Sequence, residues 1–116
     1  MGMFRDADSL DADLVKEMAE ALGSTGMRLE ELLQEIEGVR RELDQLMDSY
    51  GATVPSVVNA DISAINEGIR KHNRLVDKAE DALRWLLIQR EACGFRRHRD
   101  VHLHYPIPAK MKLLKS

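Results

Sequence analysis

A chain of 116 residues with 4 % aromatic and 32 % charged side chains fits one domain packed by aliphatic side chains, not a sheet protein or a disordered chain. No apolar run approaches the roughly 20 residues that cross a bilayer, so no membrane association is expected. The four aspartates between Met1 and Asp13 leave no apolar core for a secretory signal. The net charge of −3 hides a polarity: residues 1–50 hold 13 acids and 5 bases (−8), residues 51–93 hold 6 of each, and residues 94–116 hold 6 bases and 1 acid (+5). The lone Cys93 cannot close an intrachain disulfide, which suits a reducing, cytoplasmic address.

The first segment is expected to start near residue 9, where Asp8 or Ser9 can cap free amides and Asp11 and Asp13 complement the helix dipole. From there Val15, Met18, Leu22, Thr25, Leu29, Leu32, Ile36, Val39, Leu43, Leu46 and Tyr50 alternate by steps of three and four. That is the a/d seam of a heptad repeat, with Thr25 its only plainly polar member. Gly23-Ser24-Thr25-Gly26 weakens the helix without shifting the seam's phase. No capping box comes after it, which favours one long helix to about residue 50.

Residues 51–59 read as an elbow: Gly51 suits a helix stop, Pro55 resists a helix interior, and Ser56 or Asn59 can cap the next helix. The second segment, about 60–93, repeats the pattern through Ile62, Ile65, Ile69, His72, Val76, Ala79, Leu83, Leu86, Arg90 and Cys93, with only His72 and Arg90 out of character. Polar seam residues commonly fix register. Gly94 then provides a stop.

Two seams of matching length joined by a short elbow predict an all-α antiparallel helical hairpin over residues 1–93, coiled-coil-like, with an extended basic tail over 94–116. Leu33 and Met47 widen the first stripe, and Leu75, Ala82 and Leu87 widen the second. Stripes this broad favour more than two helices, so a homodimeric four-helix bundle is expected. The rival is the tail folding back on the hairpin.

Candidate functional residues cluster late in the chain. Trp85 and Ile88 stand off the seam at c and f and, with Leu87, form an apolar patch. The tail can cover that patch, or it can serve as a hot spot for a second copy or another protein. In Arg96-Arg97-His98-Arg99-Asp100-Val101-His102-Leu103-His104-Tyr105-Pro106-Ile107-Pro108, alternation and prolines predict an extended path. Arg96, Arg97, Arg99 and Tyr105 are its candidate contact residues, by docking on the acidic first helix or on a partner.

With Lys110, Lys112 and Lys115 the arginines could touch phosphates. A pI of about 5.8 and the lack of any nucleic-acid motif make that the weaker alternative. Cys93, His98, His102 and His104 offer metal-ligating atoms at no standard spacing, which gives a second alternative, a metal or cofactor binder. No phosphate loop, no nucleophile–base pair and no Glu-x-x-His motif is legible, so neither cofactor nor catalysis is expected. The favoured expectation is a non-enzymatic interaction or assembly module that self-associates and presents its tail.

Overall fold

The computed structural model describes the backbone of residues 2–52 and 58–115, with side chains over 16–17, 19–49 and 61–115. Three helices succeed one another: α1 (Gly2–Ala52), α2 (Val58–Ala92) and the short α3 (Arg99–His104), with no strand among the described residues. α1 runs without interruption through Gly23 and Gly26. It also begins earlier than the capping signal implies, so Asp8 and Ser9 lie within it; nothing in residues 2–10 forbids helix, since proline is absent there. α2 likewise starts at Val58 and takes in Asn59, while Val54, Pro55, Ser56 and Val57 of the elbow lie outside the described residues.

α1 and α2 pack together along the seam. Leu29, Leu32, Ile36, Val39 and Leu43 from α1 meet Ile65, Ile69, Val76, Ala79 and Leu86 from α2 in one buried core. The pairing is antiparallel. Near the elbow, Gly68 approaches Leu43 so closely that an added Cβ would come within 2.6 Å of Leu43 Cδ2; at the far end, Thr25 donates to Gln89 Oε1 at 2.7 Å. The polar seam member Thr25 is therefore satisfied across the interface.

The two helices differ in length. At about 1.5 Å per residue, 51 residues of α1 give roughly 76 Å and 35 residues of α2 roughly 52 Å. With residue 25 beside residue 89, α1's N-terminal stretch projects beyond the end of α2, and the molecule measures 82 × 19 × 17 Å.

The end of α2 is set by Gly94. Its φ of +93° is open to glycine at little cost. There Gly94 N–H bonds Glu91 O and Phe95 N–H bonds Arg90 O, each at 3.0 Å, the paired closure of a Schellman motif. Arg90 secures the reversal: it donates to Arg97 O at 3.2 Å and to His98 Nδ1 at 3.5 Å, and its guanidinium lies 4.7 Å from the Phe95 ring centre. A residue that departs from the apolar seam thus closes the turn.

Residues 99–104 depart from the expected extended path. They form α3, with Asp100 in its first turn, and they drive Val101 into the hairpin core. A three-member alternation is too short to outweigh one buried valine. Pro106 disfavours helix at the preceding residue, and the chain is non-helical from Tyr105 onward.

Candidate functional site

Beyond α3 the tail returns along the hairpin. Heptad geometry explains where it lies. At 100° per residue, position e sits on one shoulder of the a/d seam with b beyond it; g sits on the other shoulder with c beyond it. In an antiparallel pair the two e rows share one flank. Here that flank presents Gly26, Leu33, Arg40 and Met47 from α1 and Asn66, Asn73, Glu80 and Leu87 from α2. Tyr105, Ile107, Met111 and Leu114 pack against the core along it. Leu33, Met47 and Leu87 on this flank are themselves half-buried against the same core.

Two asparagines hold the tail by its main chain. Asn73 Nδ2 donates to Met111 O at 2.9 Å while its Oδ1 accepts Met111 N–H at 2.9 Å. Asn66 repeats this on Leu114, donating to its carbonyl at 2.9 Å and accepting its N–H at 2.7 Å. A carboxamide offers a donor and an acceptor side by side, so each asparagine satisfies both main-chain groups of one residue. The spacing is a geometric match. Seven residues of α-helix rise about 10.5 Å, and three residues of extended chain cover about 9.3–10 Å.

Behind the first clamp stands His72, fully buried in the seam. Its Nδ1 lies 3.0 Å from Asn73 Oδ1, and its Nε2 lies 3.4 Å from Arg40 Nη1. Arg40 can only donate, which assigns the proton of a neutral ring to Nδ1 and directs it at Asn73. The buried histidine thus links α1, the clamp and the tail. At the clamp's edge Lys110 Nζ reaches Asp77 Oδ1 at 2.6 Å, and this contact raises the lysine's pKa. At the start of the docked stretch the Tyr105 hydroxyl lies over Gly26, where an added Cβ would meet it at 2.8 Å. Burial first and Glu30 second raise the Tyr105 pKa.

The residues singled out from sequence divide between the two flanks. Leu87 and Tyr105 are partly buried in the tail-covered flank. Trp85 and Ile88 are 55 % and 48 % exposed, so the tail does not cover them. Trp85 at c belongs with the g shoulder, away from the tail. Phe95 and Leu103 are also exposed, at 49 % and 69 %. Arg96, Arg97 and Arg99 are exposed on the turn and the start of α3. Docking onto the acidic first helix is only partial: Lys110 pairs with α2, and His104 lies 3.7 Å from Glu30 of α1.

The four metal-ligand candidates do not come together. His98 Nε2 is 3.1 Å from Glu91 Oε1, His104 turns to Glu30, His102 is exposed and Cys93 is partly buried. Among the described residues no group of three or more His, Cys, Asp or Glu side chains is arranged to hold an ion. No helix among the described residues is long and apolar enough to cross a membrane.

Sequence reasoning missed Asn66, Asn73 and the role of His72. A signal existed: asparagine recurs at 59, 66 and 73, one heptad apart, on the flank that Leu87 widens. Comparison with known proteins adds no further assignment, since no family model, curated protein or solved structure matches this chain. The functional reading therefore rests on residues and geometry.

Proposed function

We propose that this chain is a non-enzymatic protein–protein interaction module that self-associates through the flank bearing Trp85 and Ile88. The observation that carries this reading is the half-exposed Trp85. A tryptophan standing outside the core, on the flank its own tail leaves open, is the residue type that most often anchors an interface. Ile88 adjoins it one turn later on α2, and exposed Phe95 comes just beyond the helix end. Among the described residues, Met27, Trp85, Ile88, Phe95 and Leu103 are exposed apolar side chains toward the end of α2, while Leu46 and Leu113 are exposed nearer the elbow. The contact joins two copies through the Trp85 patch. A reducing, cytoplasmic setting fits the unpaired Cys93 thiol.

Sedimentation equilibrium of the full chain at micromolar concentration tests this reading. A dimer is expected, and Trp85→Ser with Ile88→Ser should shift it to monomer while the helical circular dichroism stays unchanged. A dispersed monomer for the unmodified chain defeats the proposal. Loss of helicity in the double variant would mark the patch as structural.

The exposed Arg96, Arg97 and Arg99 around half-exposed Phe95 support a second reading, contact with nucleic acid. It predicts DNA or RNA binding that weakens steeply with salt; no salt-sensitive mobility shift with either would remove it.

A further inference from the structure

The geometry points to the e flank as a peptide-binding groove that reads main chain, one in which the chain's own tail can be replaced by an extended segment of a partner protein. This goes beyond self-association and uses the opposite side of the hairpin.

Three observations carry it. The clamps on Met111 and Leu114 engage only N–H and C=O groups, so they accept any residue that has both. Main-chain recognition with side-chain pockets between is how extended peptides are taken generally. The groove's side-chain preferences are also legible. A cation is wanted just before the first clamped residue, opposite Asp77, and apolar side chains are wanted where Met111 and Leu114 pack.

The third observation separates a partner from the tail itself. The tail underfills its groove. An open cavity of about 210 Å³ is lined by Pro106 and Pro108 of the tail together with Leu33, Ile36, Glu37 and Arg40 of α1. A proline ring is too small to occupy it; a large apolar side chain at either position would. Tethering gives the tail a high effective concentration. A second copy's identical tail therefore has no advantage over it, whereas a segment that fills the cavity does. The ligand defined this way is an extended peptide with a large apolar residue three or five positions before the first clamped residue and Lys or Arg immediately before it. Non-proline residues stand at the two clamped positions.

The test uses the full chain carrying Tyr105→Ala and Lys110→Glu, which loosen the resident tail and leave the groove intact. Fluorescein-labelled peptides with the sequence of residues 105–115, unmodified or bearing Pro108→Trp, are titrated by fluorescence anisotropy. Saturable binding is expected, tenfold or more tighter for the Pro108→Trp peptide. It should be lost for a peptide bearing Met111→Pro, which lacks the N–H that Asn73 accepts. Because that last change is made in the peptide, the outcome does not depend on how a variant protein folds. No saturable binding to a chain still helical by circular dichroism overturns the proposal, as does undiminished binding of the Met111→Pro peptide. Equal affinity of the first two peptides overturns it as well. So does tail exchange between unmodified copies as the only association detected, which would make the second copy the occupant.

Discussion

The two flanks of the hairpin are built from the same heptads and meet different fates. On the e flank, Asn66 and Asn73 offer paired donors and acceptors, and the tail lies down along them. On the g flank, Gly68 brings the helices close against Leu43 while Leu75 is buried; Trp85 stands at the outer edge, half in water. A polar residue at the shoulder of a coiled-coil seam can therefore recruit a third layer where an apolar one cannot, because extended backbone needs its hydrogen bonds satisfied. The contrast teaches that the tail lies on the flank where Asn66 and Asn73 meet its main-chain groups, whereas the carboxamide on the g flank, Gln89, is taken by Thr25.

Substitutions can break or sharpen that contrast. The largest effect belongs to the core both flanks share. Ile36→Ala, at a site 1 % exposed, should cost about 2–5 kcal/mol by transfer and cavity terms, read as a lower urea midpoint for the whole molecule. Asn66→Leu with Asn73→Leu should act chiefly on the e flank, with a smaller cost in the shared seam where buried His72 loses its Asn73 partner. Removing both clamps strips four hydrogen bonds to the tail at about 0.5–1.5 kcal/mol each, less what water returns to the freed backbone, together with the His72 contact. The measurement is limited proteolysis: the tail beyond Tyr105 should become cleavable while α1 and α2 stay protected.

The glycines give a smaller and more pointed comparison. Gly23 has open space where a Cβ would be, whereas Gly26 faces the Tyr105 hydroxyl. Gly23→Ala should stabilise by about 1 kcal/mol from helix propensity. Gly26→Ala should gain less, because Tyr105 must move; equal gains in thermal unfolding would mean Tyr105 does not rest there.

The smallest effect is a pH dependence confined to the tail. Tyr105 has a folded pKa raised above its ordinary 10.0, chiefly by burial. A raised value means the docked state favours the protonated phenol. Its contribution is fully present below the unfolded pKa and is lost as pH rises through the folded one. Lys110, raised by its contact with Asp77, has the same sign. Tail release should therefore precede hairpin unfolding under strongly alkaline conditions, and Tyr105→Phe should flatten that step in tyrosine-independent chemical-shift titrations.

Much of the hairpin was legible in sequence because a/d periodicity over many turns is a redundant signal: losing Thr25 or His72 from it does not blur the rest. Gly94 was legible for the same kind of reason, since a helix end at positive φ selects glycine. The third layer was not. Asn66 and Asn73 read as ordinary polar residues at a wet shoulder until the tail is beside them, and their partners are backbone groups that every residue carries. The helical turn at 99–104 was hidden because it depends on Val101 finding the core, a contact that spacing alone does not announce. Trp85 was visible as an outlier, but which flank the tail would choose depended on the clamps.

Amide hydrogen exchange along the tail tests most directly whether one flank is clamped and the other open. Met111 and Leu114 N–H groups, accepted by Asn73 and Asn66, should exchange slowly, while those of Lys112 and Leu113 between them exchange fast. Uniformly rapid exchange across residues 110–115 would contradict the docked tail and the groove beneath it.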